Sequence, residues 1–417
     1  MAVKKVKKDK VGIIVGGGPA PGINGVISSA VIEAVNEGWE VVGIMGGFKS
    51  LFDGNLSAAV PLAIRDVSQI HTEGGSILRT SSDYPSVSDD NLGMLVDTLG
   101  RMGIKYLITI GGSGTLTMMN KIEQATRGII SAVHVPKTIN NDIPLPGGFC
   151  SVGYQTALQR GEKIIRNIIQ DARTTGRWYF ITTMGRHAGH LALGIGKSSG
   201  ATLTLIPEEF GSRVTMKKLG DILAGSIIKR LSMKKDYGVA VLAEGLAEKL
   251  NLKELAGYEH IELDSSGRIR LSEIQLGRVL KGFVKKDLDK LGLKTTIVDK
   301  NIGYELRASE PTTYDVEYTR NLGYGAVRFL RRGGTGAMIV FYDDRLKALP
   351  FSEIIDPVTG TARLRTVDIT SEVYEVGRRY MIRLEDQDFK GEGLRRLART
   401  TGLTPHAFTK RFGYLKP

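Results

Sequence analysis

Short runs of apolar, mostly β-branched residues recur along the chain, and longer amphipathic stretches separate them. The runs lack the alternation of apolar and polar residues that is typical of a strand with one solvated face, so they predict parallel strands covered on both faces. In residues 157–172, apolar side chains recur at helical spacing, and comparable stretches predict further helices. The pattern therefore predicts an α/β protein with at least two sheets. The predicted strands are residues 11–15, 40–44, 106–110, 132–135, 178–182, 202–206, 238–243 and 337–341, and the predicted helices are residues 23–36, 91–100, 115–126, 157–172 and 219–231.

The length and the distribution of residue types indicate more than one domain. At about 150 residues per domain, a chain of 417 residues corresponds to two or three domains. The segment 144–148, Pro-Leu-Pro-Gly-Gly, is the best candidate for a crossing between two of them. Residues after about 360 are more helical and more charged, with no glycine loop behind a strand, so they predict a C-terminal extension that covers the body of the protein.

The cysteine and charge content limit the classes of function. The single cysteine, Cys150, cannot form an internal disulfide, which excludes a disulfide-built secreted scaffold. No apolar run approaches the ~18 residues of a membrane span, and the basic N-terminus lacks the apolar stretch of a signal peptide, so we predict a cytoplasmic protein without membrane contact. The net charge of +13 suggests a nucleic-acid ligand. However, no RNA-recognition motif or zinc-knuckle spacing accompanies the charge, so we do not expect the protein to bind nucleic acid. Anionic small substrates fit the charge equally well.

Two glycine-rich loops follow predicted strands and open predicted helices. Loop 1 is residues 16–22, Gly-Gly-Gly-Pro-Ala-Pro-Gly, and loop 2 is residues 111–115, Gly-Gly-Ser-Gly-Thr. Glycine lets successive backbone N–H groups turn toward one point, and the following helix adds the positive end of its dipole, so the loops predict phosphate binding at a topological switch point. Loop 1 is not a Walker A motif, and Pro21 stands where a dinucleotide fingerprint needs its third glycine. A tight strand–helix turn without a ligand is the alternative interpretation of loop 1.

Two further polar segments follow predicted strands. Residues 136–143 contain a cation, a hydroxyl, two amides and the carboxylate of Asp142, and a capped turn is the alternative to a ligand site. Residues 184–190 follow the strand that begins after Arg177, and Arg177 and Arg186 carry guanidinium groups suited to phosphate. His187 and His190 lie three residues apart on a predicted helix. A metal-binding pair is one interpretation of them, and solvated or core histidines are the commoner one.

These segments, in this order, resemble the signature segments of the phosphofructokinase family, most closely those of its pyrophosphate-dependent branch. The resemblance extends from residue 11 to about residue 385. It implies an α/β fold of two Rossmann-like parallel-sheet domains with a C-terminal extension. Residues 1–150 with about 306–360 would form the donor-phosphate domain, 151–305 the sugar-phosphate domain and 361–417 the helical extension. The segments that carry the resemblance are GGGPAPGIN, GGSILRTS, IGGSGT, VPKTINND, MGRHAGHLALG, IPEEF, LAEG, IGYELR and YMIRLE.

The resemblance implies a reaction and a set of site residues. The family transfers a phosphoryl group from pyrophosphate or ATP to the 1-hydroxyl of fructose 6-phosphate, with Mg²⁺. The resemblance also implies a homo-oligomer, a dimer or tetramer, because Arg177 matches an arginine that reaches the sugar phosphate bound by a neighbouring subunit. The residues that match donor-phosphate contacts are Gly18, Gly112, Gly114 and Lys137, and those that match sugar-phosphate contacts are Thr138, Arg177, Met184, Gly185, Arg186, Glu244, Tyr304 and Arg307.

Three positions depart from the family pattern, and all three serve the transfer step. Ser113 stands where the family has an aspartate that serves the metal and the transferring phosphate, Asn140 where it has the aspartate that takes the proton from the 1-hydroxyl, and Ser82 where it has a donor-phosphate arginine. Loss of a general base costs roughly 10²–10⁴ in rate, and loss of an arginine about 10³–10⁵. We therefore predict an intact sugar-phosphate half of the site and strongly impaired phosphoryl transfer, without an intact metal ligand.

Three hypotheses remain open at this point. The first is a family member that binds fructose 6-phosphate or a related sugar phosphate and transfers phosphate poorly, acting beside an active paralogue. The second is a working phosphofructokinase with a rearranged catalytic loop, in which Asp142 or His187 is the base; Gly114 then favours ATP as the donor and Lys137 favours pyrophosphate. The third is an unrelated binding protein or a nucleotide-linked oxidoreductase.

Overall fold

The computed structural model of the chain describes residues 8–81, 89–251 and 274–416. Ser82 and the lysines within residues 1–7 lie outside the described residues. Among the helices that are described, none combines the length and the apolar content needed to cross a bilayer.

The strands are β1 (Lys10–Val15), β2 (Glu40–Ile44), β3 (Ala59–Leu62), β4 (Tyr106–Gly111), β5 (Ser131–Pro136), β6 (Arg177–Thr183), β7 (Leu203–Leu205), β8 (Gly238–Ala243), β9 (Thr296–Ile302), β10 (Ala337–Tyr342) and β11 (Arg345–Pro350). The helices are α1 (Ile23–Asn36), α2 (Phe48–Phe52), α3 (Ile64–Val67), α4 (Asp89–Arg101), α5 (Ser113–Thr126), α6 (Tyr154–Thr175), α7 (His190–Ser199), α8 (Met216–Ser232), α9 (Leu246–Lys249), α10 (Leu276–Lys290), α11 (Tyr304–Arg307), α12 (Thr313–Arg331), α13 (Phe351–Ile354), α14 (Glu372–Arg379), α15 (Gly391–Thr401) and α16 (Pro405–Phe412).

The first of two compact units comprises Met1–Ala157 and Tyr304–Arg365. It contains a seven-stranded sheet of order β11-β10-β5-β4-β1-β2-β3. The inner strands pair in parallel, and the edge strands β3 and β11 pair antiparallel to their neighbours. Because β2 lies on one side of β1 and β4 on the other, the strand order reverses at β1, which is where open α/β sheets bind ligands.

The second unit comprises Leu158–Gly303 and Thr366–Pro417. Its sheet has four parallel strands in the order β7-β8-β6-β9. Trp178 of β6 is fully buried in a core to which α8 and α10 contribute leucines and valines. Phe408 and Phe412 of α16 are buried in the same core, so the C-terminal helices complete the second unit.

The periodicity of the sequence predicted most of these elements. All eight predicted strands and all five predicted helices are present, with ends that differ by at most three residues. The sequence did not reveal β3, β9 or β11. Each of them is an edge strand with half or more of its side chains partly or fully exposed, so none has the continuous apolar run of a strand buried on both faces.

Two local expectations differ from the structure. Helix α7 begins at His190, so His187 precedes it and the two histidines do not share a helix. The units divide after Ala157, inside α6, and not at residues 144–148. Asp315 of α12 gives the reason, because its carboxylate accepts the N–H groups of Gly153 and Thr156 and so caps α6 within the first unit. Residues from Thr366 onward are part of the second unit, and its core includes Phe408 and Phe412.

Candidate active site

Loops 1 and 2 begin side by side at the switch point of the first sheet. Strands β1 and β4 pair in register from Val11 with Tyr106 to Val15 with Ile110. The N–H of Gly16 then donates to the carbonyl of Ile110 at 2.9 Å. Strand β4 ends at Gly111 and α5 begins at Ser113, two residues earlier than predicted, so Ser113 and Gly114 lie in the first turn of the helix.

Both loops present helix N-termini that no side chain caps. Gly22 precedes α1 and Gly112 precedes α5, and neither helix has an acidic residue in its first turn. The first N–H groups of a helix have no partner within it and carry partial positive charge. Two such ends at adjacent strands favour an anion at this position in the sheet.

Thr115 brings loops 1 and 2 into close contact. A Cβ added at Gly16 would lie 2.4 Å from Thr115 Oγ1, and one added at Gly111 would lie 2.2 Å from it. The Thr115 hydroxyl is buried and has no hydrogen-bond partner among the described residues. Glycine is therefore required at both positions because of packing against Thr115.

We expect Gly16→Ala to destabilise the first unit by about 1–3 kcal/mol, because the new methyl group overlaps the Thr115 side chain. Combining it with Thr115→Ala should recover part of the loss, since neighbouring substitutions are not additive. Urea denaturation of the single and double variants measures both effects. Gly100→Ala is the matched control, because Gly100, like Gly16, does not have a positive φ and has no atom within 4 Å of an added Cβ. If the double variant is as unstable as the sum of the single variants, the proposed contact is not the cause.

Lys137 extends from the end of β5 into loop 1. Its Nζ donates to the carbonyl oxygens of Gly16 at 2.9 Å and Gly18 at 2.5 Å, and the side chain is almost completely buried. Burial lowers the pKa of Lys137 to about 7, while the carboxylate of Asp142 raises it and the guanidinium of Arg307 lowers it further. A buried ammonium with mainly carbonyl partners would be stabilised by an anion within its reach.

The pKa of Lys137 predicts a pH dependence of stability. Between about pH 7 and its ordinary value of 10.5, the unfolded chain binds a proton that the folded chain does not, so the free energy of unfolding rises with pH across this range. We expect that rise to be smaller in Lys137→Met. Denaturation in a Trp178→Phe background measures it through Trp39, which stacks on Tyr106 in the first unit. The exposed Lys49→Met, in the same unit, is the control and should behave as the parent protein does. Parallel pH profiles for the parent and Lys137→Met would contradict the assignment.

Arg307 also lies close to loop 1. A Cβ added at Gly18 would come within 3.3 Å of Arg307 Nη1. The guanidinium stacks over the ring of Tyr304, with 4.5 Å between its Cζ and the ring centroid. Within the first unit the structure therefore brings together Gly18, Lys137 and Arg307, three of the residues that the sequence singled out.

The segment after Lys137 is held in a rigid turn. The Thr138 hydroxyl accepts the N–H of Asn140 at 3.1 Å, and Asn141 has φ 56° with its amide oxygen accepting the N–H of Ser151. The amide oxygen of Asn140 is buried without a hydrogen-bond partner in the described part of the chain. Asp142 is buried, and its carbonyl accepts the N–H of Arg365. The amide oxygen of Asn140 is therefore free, among the described residues, to accept a hydrogen bond from a ligand.

His134 supports the end of β4 from within the sheet. Burial lowers its pKa to about 3, so the ring is neutral. Because a carbonyl only accepts, Nε2 carries the proton and donates to Gly111 at 3.1 Å, and Nδ1 accepts from Thr109 at 2.8 Å. The sequence placed His134 in a strand but provided no signal for this role.

The second unit holds a separate group of the predicted residues at the ends of β6 and β8. Gly185 has φ 141°, and its N–H donates to the carboxylate of Glu244 at 3.0 Å. Met184 packs against Gly303, where an added Cβ would lie 2.7 Å from Met184 Cγ. Arg186 donates to Glu248 at 2.8 Å and is only partly exposed.

Arg177 is not part of that group. It is the first residue of β6 and is exposed, whereas Met184 follows the last residue of the same strand. Six to seven residues of extended strand separate them by roughly 20 Å. The structure therefore leaves Arg177 at the opposite edge of its sheet.

Comparison with known proteins identifies the family. Residues 10–330 match the family Phosphofructokinase. The chain belongs to the phosphofructokinase family. It is 48% identical over 410 residues to the pyrophosphate–fructose 6-phosphate 1-phosphotransferase of Thermotoga maritima, a match that covers 97% of this chain and 98% of that protein. It is 45% identical to the protein of the same name from Naegleria fowleri, covering 97% and 95% of the two chains.

The fold is also that of a phosphofructokinase. The chain superposes on the T-state crystal structure of Pichia pastoris phosphofructokinase with a TM-score of 0.65 at 22% sequence identity. The match covers 85% of this chain and 36% of the Pichia polypeptide, so this chain spans about a third of that protein's length. The predicted family and the predicted α/β fold with parallel-sheet domains are thus confirmed.

Proposed function

We propose that this phosphofructokinase-family protein binds fructose 6-phosphate, or a related sugar phosphate, together with pyrophosphate, and that it transfers the phosphoryl group slowly. The observation that carries the proposal is that the first unit keeps cations beside loop 1 but lacks two of the family's carboxylates. Lys137 and Arg307 lie close to loop 1, whereas Ser113 and Asn140 are uncharged. The names of the Thermotoga and Naegleria relatives support the choice of both substrates.

A diphosphate suits the charge and the hydrogen-bond donors around loop 1. The helix N-termini at Gly22 and Gly112 lack acidic neighbours, and Lys137 is buried beside the carbonyl of Gly18. A phosphate in reach of Lys137 would supply a negative charge that compensates for the hydration lost on burial, and so would raise the pKa of the ammonium. We therefore assign the donor phosphates to Gly18, Gly112, Gly114 and Lys137.

The acceptor contacts are proposed for each unit separately. In the first unit, Thr138, Tyr304 and Arg307 offer a hydroxyl, a stacking ring and a guanidinium. Arginine binds phosphate through two parallel hydrogen bonds, which suits it to a 6-phosphate group. In the second unit the proposed contacts are Met184, Gly185, Arg186 and Glu244.

Slow transfer follows from the residue at position 140. An amide cannot take a proton from the 1-hydroxyl near neutral pH, and absence of a general base costs roughly 10²–10⁴ in rate. The buried oxygen of Asn140 can still accept a hydrogen bond from that hydroxyl, because it has no other partner among the described residues. Asn140 would therefore help to position the acceptor without activating it.

A second candidate function is a fully active pyrophosphate-dependent enzyme. Asp142 favours it, because this carboxylate is buried and close enough to affect the pKa of Lys137. Asp142 would then replace Asn140 as the base. Asn141 lies between the two residues with φ 56° and turns the chain, so the loop would have to shift for this exchange.

Two further family features remain proposals here. For Mg²⁺, the described residues contain no group of three or more potential His, Cys, Asp or Glu ligands, and Ser113 stands where the family has a carboxylate. A magnesium–pyrophosphate complex would be bound chiefly through its phosphates. A homo-oligomer would give Arg177 a role, because it lies too far along β6 to join Met184 within one chain.

A coupled assay with fructose 6-phosphate and pyrophosphate, then with ATP, tests the proposal. We expect turnover well below the ~1–100 per second that is typical of kinases. Thermal melting should still show binding, with about 2.7 kcal/mol of stabilisation at 100 times the dissociation constant. Ordinary turnover that Asp142→Asn abolishes would establish the second candidate, and no thermal shift with either ligand would refute both.

A further inference from the structure

Arg79 has a backbone conformation that residues other than glycine seldom adopt. Its φ is 56°, in the left-handed region, where the Cβ of an L-residue comes close to the following carbonyl oxygen. Glycine has no Cβ and would avoid this cost. Residues strained in this way persist only where the surrounding structure fixes the backbone, and they are concentrated at functional sites.

The position of Arg79 in the fold does not by itself account for the conformation. Six described residues other than glycine have a positive φ. Four of them lie at the C-terminal ends of helices or in the turn of a hairpin, where the conformation is common, and these are Arg127, Lys234, Asp343 and Asp344. The other two are Arg79 and Asn141. Asn141 belongs to the rigid turn after Lys137, in the candidate site.

Hydrogen bonds and packing fix the backbone at Arg79. Its N–H donates to the carbonyl of Ser76, and the hydroxyl of Ser76 donates to the carbonyl of Arg79, both at 3.1 Å. The carbonyl of Leu78 accepts the N–H of Gly46 at 2.9 Å. The Leu78 side chain is buried, and a Cβ added at Gly43 would lie 2.2 Å from its Cδ2. The strained conformation is therefore built into the first unit.

The two residues after Arg79 bind directly to loop 1. The Thr80 hydroxyl donates to the carbonyl of Gly17 at 2.5 Å, and the N–H of Gly17 donates to the carbonyl of Ser81 at 3.0 Å. Consecutive Cα atoms are about 3.8 Å apart, so Arg79 lies one short step along the chain from these contacts. Its long side chain can span the remaining distance to a ligand at loop 1.

The charge of Arg79 is available to such a ligand. The side chain is exposed, and within residues 8–81, 89–251 and 274–416 its guanidinium has no hydrogen bond or ion pair. Loop 1 has two other cations beside it, because Lys137 Nζ would lie 3.5 Å from a Cβ added at Gly17, and Arg307 Nη1 would lie 3.3 Å from one added at Gly18. Two cations leave part of the negative charge of a diphosphate uncompensated.

We propose that Arg79 is a third cation of the donor site and binds phosphate oxygens of pyrophosphate held at loop 1. The inference rests on the proposed function and adds a residue to it. A guanidinium binds phosphate through two parallel hydrogen bonds. Because the backbone at Arg79 is fixed before the ligand arrives, less conformational entropy is lost on binding. If Arg79 only completed a turn, removal of its guanidinium would not change the affinity for any ligand.

Isothermal titration calorimetry of the full chain with pyrophosphate and Mg²⁺ tests the proposal. We expect the Kd for pyrophosphate to rise at least about tenfold in Arg79→Asn, because a bidentate phosphate contact is lost. Arg79→Lys keeps the charge without the planar fork and should raise the Kd less. Asparagine tolerates the left-handed region better than arginine does, so the urea midpoint of the first unit should not fall in Arg79→Asn.

Arg127→Asn is the matched control. Arg127 is also an exposed arginine of the first unit with a positive φ, 46°, and it lies at the C-terminal end of α5, whereas loop 2 precedes the N-terminus of that helix. This variant removes the same charge and relieves the same backbone conformation. We expect it to bind pyrophosphate with the Kd of the parent protein.

The outcomes separate this proposal from the proposed function. An unchanged Kd for pyrophosphate in Arg79→Asn, or an equal rise in Arg127→Asn, would overturn the role of Arg79 and leave the proposed function standing. A lower urea midpoint or a parallel loss of fructose 6-phosphate binding in Arg79→Asn would also overturn it, because the variant would then have lost structure and not one phosphate contact. A parent protein that binds fructose 6-phosphate but not pyrophosphate would refute both this proposal and the choice of donor.

Discussion

Ser113→Asp/Asn140→Asp is expected to raise the rate of phosphoryl transfer from pyrophosphate to fructose 6-phosphate by at least about 10²-fold. A carboxylate at position 140 would accept the proton of the attacking hydroxyl, and one at position 113 would help to bind a metal. Position 113 is the first residue of α5, where a negative charge is favourable because of the helix dipole. Steady-state kinetics with both substrates measures the gain as a change in kcat.

The gains in kcat of the two single variants should not account for the gain of the double variant, because the effects of residues that act on one chemical step are not additive. Ser113→Ala/Asn140→Ala is the matched control; it changes the same positions without adding charge and should give no gain. If the parent protein already turns over as fast as the aspartate variant, the proposed impairment is wrong. Loss of that activity in Asp142→Asn would then identify the base.

Arg383→Met should destabilise the second unit by about 3–5 kcal/mol, the largest loss of stability that we expect. Arg383 is almost fully buried and donates to both carboxylate oxygens of Glu209, at 2.5 and 2.9 Å, and to the carbonyl of Thr204 at 2.7 Å. Its own carbonyl accepts from Lys229, which also pairs with Asp388 at 2.6 Å. Removing the guanidinium leaves the carboxylate of Glu209 buried without its cation.

Unfolding in a Trp39→Phe background isolates this effect, since Trp178 then reports on the core of the second unit alone. Arg395→Met is the matched control, because Arg395 pairs with Glu392 at 2.9 Å with both side chains more than half exposed. Exposed pairs contribute about 0–1 kcal/mol. Equal stability losses in Arg383→Met and Arg395→Met would contradict the assigned role of the buried pair.

The same network shows why the extent of the second unit could not be predicted from the sequence. The tail carries charged residues at a density that is typical of a solvated extension. Arg383 and Asp388 are nevertheless buried, because Glu209 and Lys229, more than 150 residues away, supply their partners. A charged residue in a sequence does not reveal whether a counter-charge from a distant segment will meet it.

The candidate site was only partly predictable for a similar reason. Gly18, Lys137 and Arg307 could be proposed from motifs, and the structure brings these three together. Thr115 and His134 gave no separate signal, because a threonine in a loop and a histidine in an apolar strand are commonplace. Their contacts with Gly111 arise only when β4, β5 and α5 are packed together.

By itself the sequence determined the α/β class, most strand and helix positions, the glycine loops and the family, since each of these depends on residue types at short spacing. Only the tertiary structure decided which unit the C-terminal helices complete and how deeply Lys137 is buried. These properties depend on side chains that are far apart in the chain. Burial and local charge, which set pKa and affinity, exist only once those side chains are brought into contact.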